Sequence, residues 1–249
     1  MSQFTFDMDK KSLLPLYHQL KTIVLREIHE KHWAPDEMIP TELEFMKHFS
    51  LSRTTIRQAL NDLVKENVLY RKKGVGTFVS KPKINLQYME NSISFNDQIL
   101  SIGLTPTTKV LELSIIPAAE EVASEMGITV NEKVILLTRV RYVENEPVAQ
   151  VKSFLPYELC ASIMNVDLEK ESLFKTLGLN ERTRVVKVTR LIEAHLATAE
   201  DCMLMQIGQG SSVQNFINKA FNSEGRIIEY SIARYRGDRN KFYVEINVT

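Results

Sequence analysis

The chain is poor in the residues that staple small domains. Two cysteines, nine glycines, eight prolines and one tryptophan are spread over 249 residues, and 31 Lys/Arg balance 31 Asp/Glu. Cys160 and Cys202 have no CxxC or CxH neighbours, which argues against a disulfide framework or a zinc cluster and predicts free thiols in a reducing compartment. No run of about 18 apolar residues exists, so no membrane-spanning helix is expected. The first residues, Met-Ser-Gln-Phe-Thr-Phe-Asp-Met-Asp, lack the basic-then-apolar pattern of a secretory leader, and a cytoplasmic location follows. Catalytic signatures are equally scarce. Of the histidines His18, His29, His32, His48 and His195, only the last lies beyond residue 48, and no Ser/His/Asp set, metal-ligand spacing, GxGxxG or phosphate loop accompanies it. No enzyme activity, metal or cofactor is expected. With 44% hydrophobic and 25% charged residues, the length suits two globular domains.

The N-terminal third carries the strongest pattern. Leu16, Leu20, Ile23, Val24 and Ile28 recur at helical spacing, with Pro15 near the start. Thr41-Glu42-Leu43-Glu44 reads as a capping box opening a short second helix that ends near His48 or Phe49. Ser52 is an N-cap for a third helix, Leu51 and Ile56 form a hydrophobic staple around it, and Ile56, Ala59, Leu60, Leu63 and Val64 mark its buried face. Its first turn presents Arg53, Thr54, Thr55 and Arg57. Arginines four apart stack on one side of a helix, and an arginine there can hold guanine O6 and N7 in a bidentate pair. Residues 68–72 and 77–79 then flank Lys73-Gly74-Val75-Gly76, a glycine turn with a low cationic tip. Between Lys47 and Lys83 there are nine Lys/Arg against two Asp/Glu, a local excess of +7 in a neutral chain. Alone, Arg71-Lys72-Lys73 would be a solvated charge run, and a helix-turn-helix also serves protein contacts. Capped helix, paired arginines and glycine hairpin together point to double-stranded DNA. The candidate DNA-binding residues are Thr41, Ser52, Arg53, Thr54, Thr55, Arg57, Lys73, Gly74 and Gly76.

Residues 10–80 are thus expected to form a winged helix-turn-helix domain, 81–92 an extended linker around Pro82, and 93–249 a second domain. In the second domain, strands are predicted over 107–116, 133–143, 147–155, 183–194, 213–222, 226–236 and 241–248, and helices over 95–102, 118–126, 156–164, 170–177 and 198–207. Turns are expected at Asn145-Glu146 and Glu224-Gly225. A faint repeat of helix, strand, turn and strand at 118–155 and 199–236 implies one antiparallel sheet with helices on it, so the fold class is α+β.

Arg139 and Arg141 are two apart in an apolar strand and project from one face. Two cations on a half-buried sheet need anionic company. Strand spacing alone leaves open whether that company is an internal carboxylate or an incoming anion.

The chain as a whole resembles the GntR superfamily of bacterial transcription regulators, HutC subfamily. The N-terminal likeness rests on Pro15-Leu16-Tyr17 with Gln19, on Pro40-Thr41-Glu42, on Ser52-Arg53-Thr54-Thr55-Ile56-Arg57-Gln58-Ala59-Leu60 and on Gly74-Val75-Gly76-Thr77-Phe78-Val79. The C-terminal likeness, to the UTRA effector-binding domain with its chorismate-lyase-like fold, rests on Thr138-Arg139-Val140-Arg141, Ser172-Leu173-Phe174, Glu229-Tyr230-Ser231 and Arg234-Tyr235-Arg236-Gly237-Asp238-Arg239. The resemblance implies a homodimeric regulator, usually a repressor, on an inverted-repeat operator and released by a small anionic metabolite. It implies effector contacts from Ser94, Phe95, Arg139, Arg141, Ser172, Glu229 and Tyr235. Two departures stand out. Leu43 replaces an arginine that contacts a base in many relatives, and Val151 replaces a glutamate present where the ligand is an amino-sugar phosphate. The competing readings are a constitutive DNA-binding dimer without a ligand, and a lyase-like enzyme fused to a DNA-binding domain.

Overall fold

The computed structural model describes residues 8–9, 12–87 and 95–244. They fall into two compact units, Met1–Pro82 and Lys83–Thr249.

The first unit contains α1 (Leu16–His29), α2 (Glu42–Phe49), α3 (Arg53–Lys65), β1 (Leu69–Lys72) and β2 (Gly76–Val79). The apolar stripes read from the sequence meet in one core: Leu20, Ile23 and Val24 of α1, Phe45 and Phe49 of α2, and Ile56, Ala59, Leu60 and Leu63 of α3. Trp33, Leu69 and Val79 close it. Both starts are capped as their sequences require. The Thr41 hydroxyl accepts from the Glu44 amide (3.3 Å), and the Glu44 carboxylate accepts from the Thr41 amide (2.7 Å). Ser52 Oγ accepts from the Thr55 amide at 3.2 Å. Ser50, with φ +53°, ends α2 in the left-handed region and turns the chain into α3. β1 and β2 pair antiparallel, and the Lys72 carbonyl accepts from the Val75 amide (3.0 Å) across the turn. Gly74 sits there at φ +73°, where a side chain would be strained.

The second unit adds β3 (Ile84–Gln87), α4 (Phe95–Ser101), β4 (Pro106–Pro117), α5 (Glu120–Met126), β5 (Lys133–Val143), β6 (Glu146–Pro156) and α6 (Tyr157–Cys160). A 3-10 turn over Ala161–Asn165 follows, then α7 (Leu173–Leu177), β7 (Lys187–Leu196), α8 (Ala199–Met205), β8 (Ser212–Phe221), β9 (Ile227–Arg236) and β10 (Asn240–Tyr243). Six strands make one antiparallel sheet in the order β4-β5-β6-β9-β8-β7. The repeat is real: β4-α5-β5-β6 and β7-α8-β8-β9 are two like units joined through β6 and β9 at the centre. Each helix crosses to the other half, α5 onto β9 and α8 onto β6. The fold is α+β.

Three expectations need correction. The segment read as linker over 81–92 contains β3, which pairs in parallel with β10 and buries Ile84 and Leu86. Four residues with two apolar anchors were too short to register as a strand beside Pro82. β7 begins at Lys187 rather than 183, because the Thr183 hydroxyl donates to the Leu177 carbonyl (2.6 Å) and holds a turn there. The first hairpin turns at Glu144-Asn145, both at positive φ (+49° and +64°), one residue earlier than expected.

Candidate functional site

Two sites take shape. The first lies on the exposed side of α3. Arg53, Thr54 and Arg57 project from it, and their side of the helix carries Gln58, Asn61 and Lys65 as well. Thr41, Ser52 and Thr55 serve the caps: Thr41 Oγ1 donates to Glu44 (2.7 Å), and the Ser52 and Thr55 hydroxyls bond each other (2.8 Å). Lys73 and Gly74 form the exposed hairpin tip, and Gly76 lies at the start of β2 against the Met38 side chain. Glu42, the first residue of α2, stands against this surface, 3.3 Å from Arg53 Nε, 3.5 Å from Arg57 Nε and 3.9 Å from an Arg71 Nη. The sequence places Glu42 in the Pro40-Thr41-Glu42 motif but gives it no part in this surface, because the capping box needs only Thr41 and Glu44.

The second site is a cavity of about 170 Å³ on one face of the six-stranded sheet, edged by α4 and α7. Side-chain alternation puts Arg139 and Arg141 of β5, Val151 of β6 and Glu229, Ser231 and Ala233 of β9 on that face, with Asn218 of β8 and Arg190 of β7. Arg139 is only 3% exposed. Its one hydrogen bond is a long one from Nη2 to Ser153 Oγ (3.5 Å), while Nε and Nη1 have no partner among the described residues. Burial, then repulsion from Arg141, pulls its pKa down to about 9, against the pull of Glu229, and it stays a cation at neutral pH. Glu229 is buried too and accepts from Ser153 Oγ (2.6 Å). Burial raises its pKa, opposed by the Ser153 hydrogen bond and by Arg139, Arg141 and Arg190. Ser153 therefore bridges the two charges, and no carboxylate among the described residues stands within ion-pair distance of Arg139. Arg141 donates to Thr108 Oγ1 (2.5 Å) and lies over the Phe95 ring, 5.5 Å from its centre. Ser172 caps α7 and lines the cavity.

The cavity thus gathers Phe95, Arg139, Arg141, Ser172 and Glu229. Tyr235 shares their sheet face but packs between Phe216 and Phe242, with ring centres 5.1 and 5.0 Å away, and does not line the cavity. Ser94 lies outside the described residues. Sequence reading missed Arg190, which donates to Asn218 Oδ1 at 2.6 Å. A signal existed: Thr189-Arg190-Leu191 repeats the Thr138-Arg139-Val140 pattern in the other half. Leu86 of β3 also lines the cavity, four residues after Pro82. Cys160 is buried and its thiol is pushed up to about 12, an inert position. Among the described residues no three His/Cys/Asp/Glu are grouped to hold a metal, and no helix is long and apolar enough to cross a membrane.

Comparison with known proteins places both units in one family. Residues 16–79 match the family described as bacterial regulatory proteins, gntR family, and residues 101–241 match the UTRA domain. The chain is 32% identical to the HTH-type transcriptional repressor NagR of Bacillus subtilis, over 95% of this chain and 96% of that protein. It is 26% identical to the mannosyl-D-glycerate transport/metabolism system repressor MngR of Escherichia coli, over 92% and 94% of the two chains. The fold is that of PhnF from Mycobacterium smegmatis, with a TM-score of 0.65, 21% identity and coverage of 91% of this chain and 98% of that one. This chain belongs to the gntR family of bacterial regulatory proteins, in its HutC branch, where a UTRA domain follows the DNA-binding helix-turn-helix.

Proposed function

We propose that this protein is a transcriptional repressor that binds an inverted-repeat operator as a homodimer and is released by a small anionic metabolite, a sugar phosphate or a carboxylate. The carrying observation is Arg139: a buried guanidinium at a cavity wall with two nitrogens that have no partner among the described residues. Unmade hydrogen bonds from a buried charge are costly, and an oxyanion bridging Arg139 and Arg141 would make them. Ser172 and Arg190 add donors around the same space. Val151 gives the cavity floor an apolar patch, which disfavours an amine-bearing ligand. Relatives are named as repressors, one of them for mannosyl-D-glycerate, a carboxylate.

The dimer reading rests on β7. It is an edge strand whose Leu191, Ile192 and Leu196 are all exposed, and a long apolar edge is normally covered. Two recognition helices must stand about one DNA turn, roughly 34 Å, apart in the bound state. Leu86 in the cavity and Pro82 at the end of the first unit lie close in sequence, so ligand-induced movement of β3 would alter that spacing.

A thermal-shift screen of the full chain against sugar phosphates, carboxylates and amino acids tests the sensor, since a ligand specific for the native state raises the melting temperature. Any hit should also release operator DNA, and Arg139→Ala should keep operator binding while losing the response. Binding and release are reciprocal, by about 1–3 kcal/mol of coupling. A protein that binds DNA but answers to no anion would be a constitutive regulator. Light scattering on a Leu191→Asp/Ile192→Asp variant should report a monomer, and a dimer of unchanged stability would remove β7 from the interface.

A further inference from the structure

Three arginines from two elements converge on one carboxylate in the DNA-facing unit. Glu42 opens α2, and Arg53 and Arg57 of α3 and Arg71 of β1 all turn toward it. Glu42 is not needed to cap its own helix, because Thr41 and Glu44 close that box. It stands apart from the other acids of this region: Asp62 pairs with Lys65 and Glu66 with Lys21.

The contact atoms matter. Arg53 and Arg57 both meet Glu42 through Nε, at 3.3 and 3.5 Å. A guanidinium can present either its Nε side or its two terminal Nη atoms to a bidentate acceptor. With Nε turned to Glu42, the Nη pair is the edge left for guanine O6 and N7. Ordering a long side chain at an interface costs rotamer freedom, and a carboxylate that already orients two arginines reduces that loss. The same carboxylate sits in the field of the DNA phosphates and opposes binding that depends on charge alone.

We propose that Glu42 is a positioning residue for sequence reading. It orients Arg53 and Arg57 so that their Nη edges face the bases, and it lowers affinity for DNA of arbitrary sequence. Discrimination, not total affinity, is what it supplies. The inference rests on the reading that α3 enters the major groove.

The test uses the full chain, a duplex enriched from a random-sequence library by the unaltered protein, and a scrambled duplex of equal length. Fluorescence anisotropy at several salt concentrations gives both affinities. Glu42→Gln keeps the shape and removes the charge. It should bind the scrambled duplex about 2–5-fold more tightly, and the selected-to-scrambled ratio should fall about ten-fold. Glu42→Asp keeps the charge one methylene too short, so scrambled binding should stay near its original value while the ratio still falls. Repeating the selection with Glu42→Gln should relax base preference at the positions read by arginine. A ratio unchanged within about two-fold for Glu42→Gln, with both affinities rising together, would reduce Glu42 to a general charge. Loss of both affinities with a lower melting temperature would make it structural. Arg53→Ala and Arg57→Ala separate this from the parent reading. If they lose discrimination while Glu42→Gln keeps it, α3 still reads DNA and the Glu42 inference alone fails. If neither arginine matters, the recognition-helix reading falls first.

Discussion

Paired arginines occur in both units, and their settings are opposite. Arg53 and Arg57 stand four apart on a helix with side chains 69% and 55% exposed, steadied loosely by Glu42. Arg139 and Arg141 stand two apart on a strand, with Arg139 sealed from water and short of partners. An exposed pair costs little to keep and offers itself to a large polyanion, with strength that salt erodes. A buried guanidinium such as that of Arg139 strains the free protein and is relieved by a small anion of matching shape. The contrast lies in the desolvation that each backbone position imposes on its guanidinium.

The sharpest way to break the comparison is Arg139→Met. Arg139 has no carboxylate at ion-pair distance among the described residues, so an apolar side chain of similar reach removes the cost of an under-satisfied buried charge without breaking an ion pair. The ligand-free variant should therefore melt no lower than the original, while anion-induced stabilisation, about 2.7 kcal/mol at a hundred-fold excess over Kd, disappears. Differential scanning calorimetry with and without a hit from the anion screen reads both. A variant that melts far lower would mean that Arg139 is a structural partner of Glu229.

On the DNA side the effects are smaller and stability should not change. Arg53→Ala or Arg57→Ala should each weaken selected DNA by about 1–3 kcal/mol and relax preference at one base. Lys73→Ala, at the hairpin tip, should cost less than about 1 kcal/mol. That loss should be equal for all sequences and flatten the salt slope by about 0.9. Equal losses on selected and scrambled duplexes for the arginines would erase the distinction between reading and phosphate contact.

Much of the fold was legible because its signals were local. The caps at Thr41 and Ser52, the staple of Leu51 and Ile56, and the β-branched, apolar runs of β5, β6, β8 and β9 each fix their element within a few residues. The repeat at 118–155 and 199–236 even foretold the two halves of the sheet. What escaped was set by distant partners. β3 exists because β10, over 150 residues later, pairs with it. Arg190 joins the cavity only because five strands bring β7 and β5 onto one sheet. Tyr235 has the right alternation, yet Phe216 and Phe242 take up its ring. Alternation names the face, and only tertiary packing decides which residue on that face meets open space.

The smallest expected effect concerns Glu229, the carboxylate that shares the cavity with Arg139, Arg141 and Arg190. Burial raises its pKa, so the folded chain holds this proton to higher pH than the unfolded chain does. Its contribution to stability is then complete below the ordinary carboxylate value of 4.5 and is lost as pH climbs through the raised one. The same proton tunes the cavity. Protonated Glu229 adds no negative charge beside Arg139, Arg141 and Arg190, so an anion should bind more tightly as pH falls through that window. Sulfate is a suitable probe because its own charge is constant between about pH 5 and 8, where histidine is the ordinary titrating side chain. His195, the one histidine of this unit, sits on β7 beside Glu193 and does not line the cavity. Isothermal calorimetry of sulfate across that range should show affinity rising on acidification for the original protein. Glu229→Gln should hold it near the acid-side value throughout, a change of less than about ten-fold at neutral pH. An equally steep pH profile in Glu229→Gln would place the responsible proton elsewhere, and Glu229 would then be a hydrogen-bond partner of Ser153 with no electrostatic part in holding the anion.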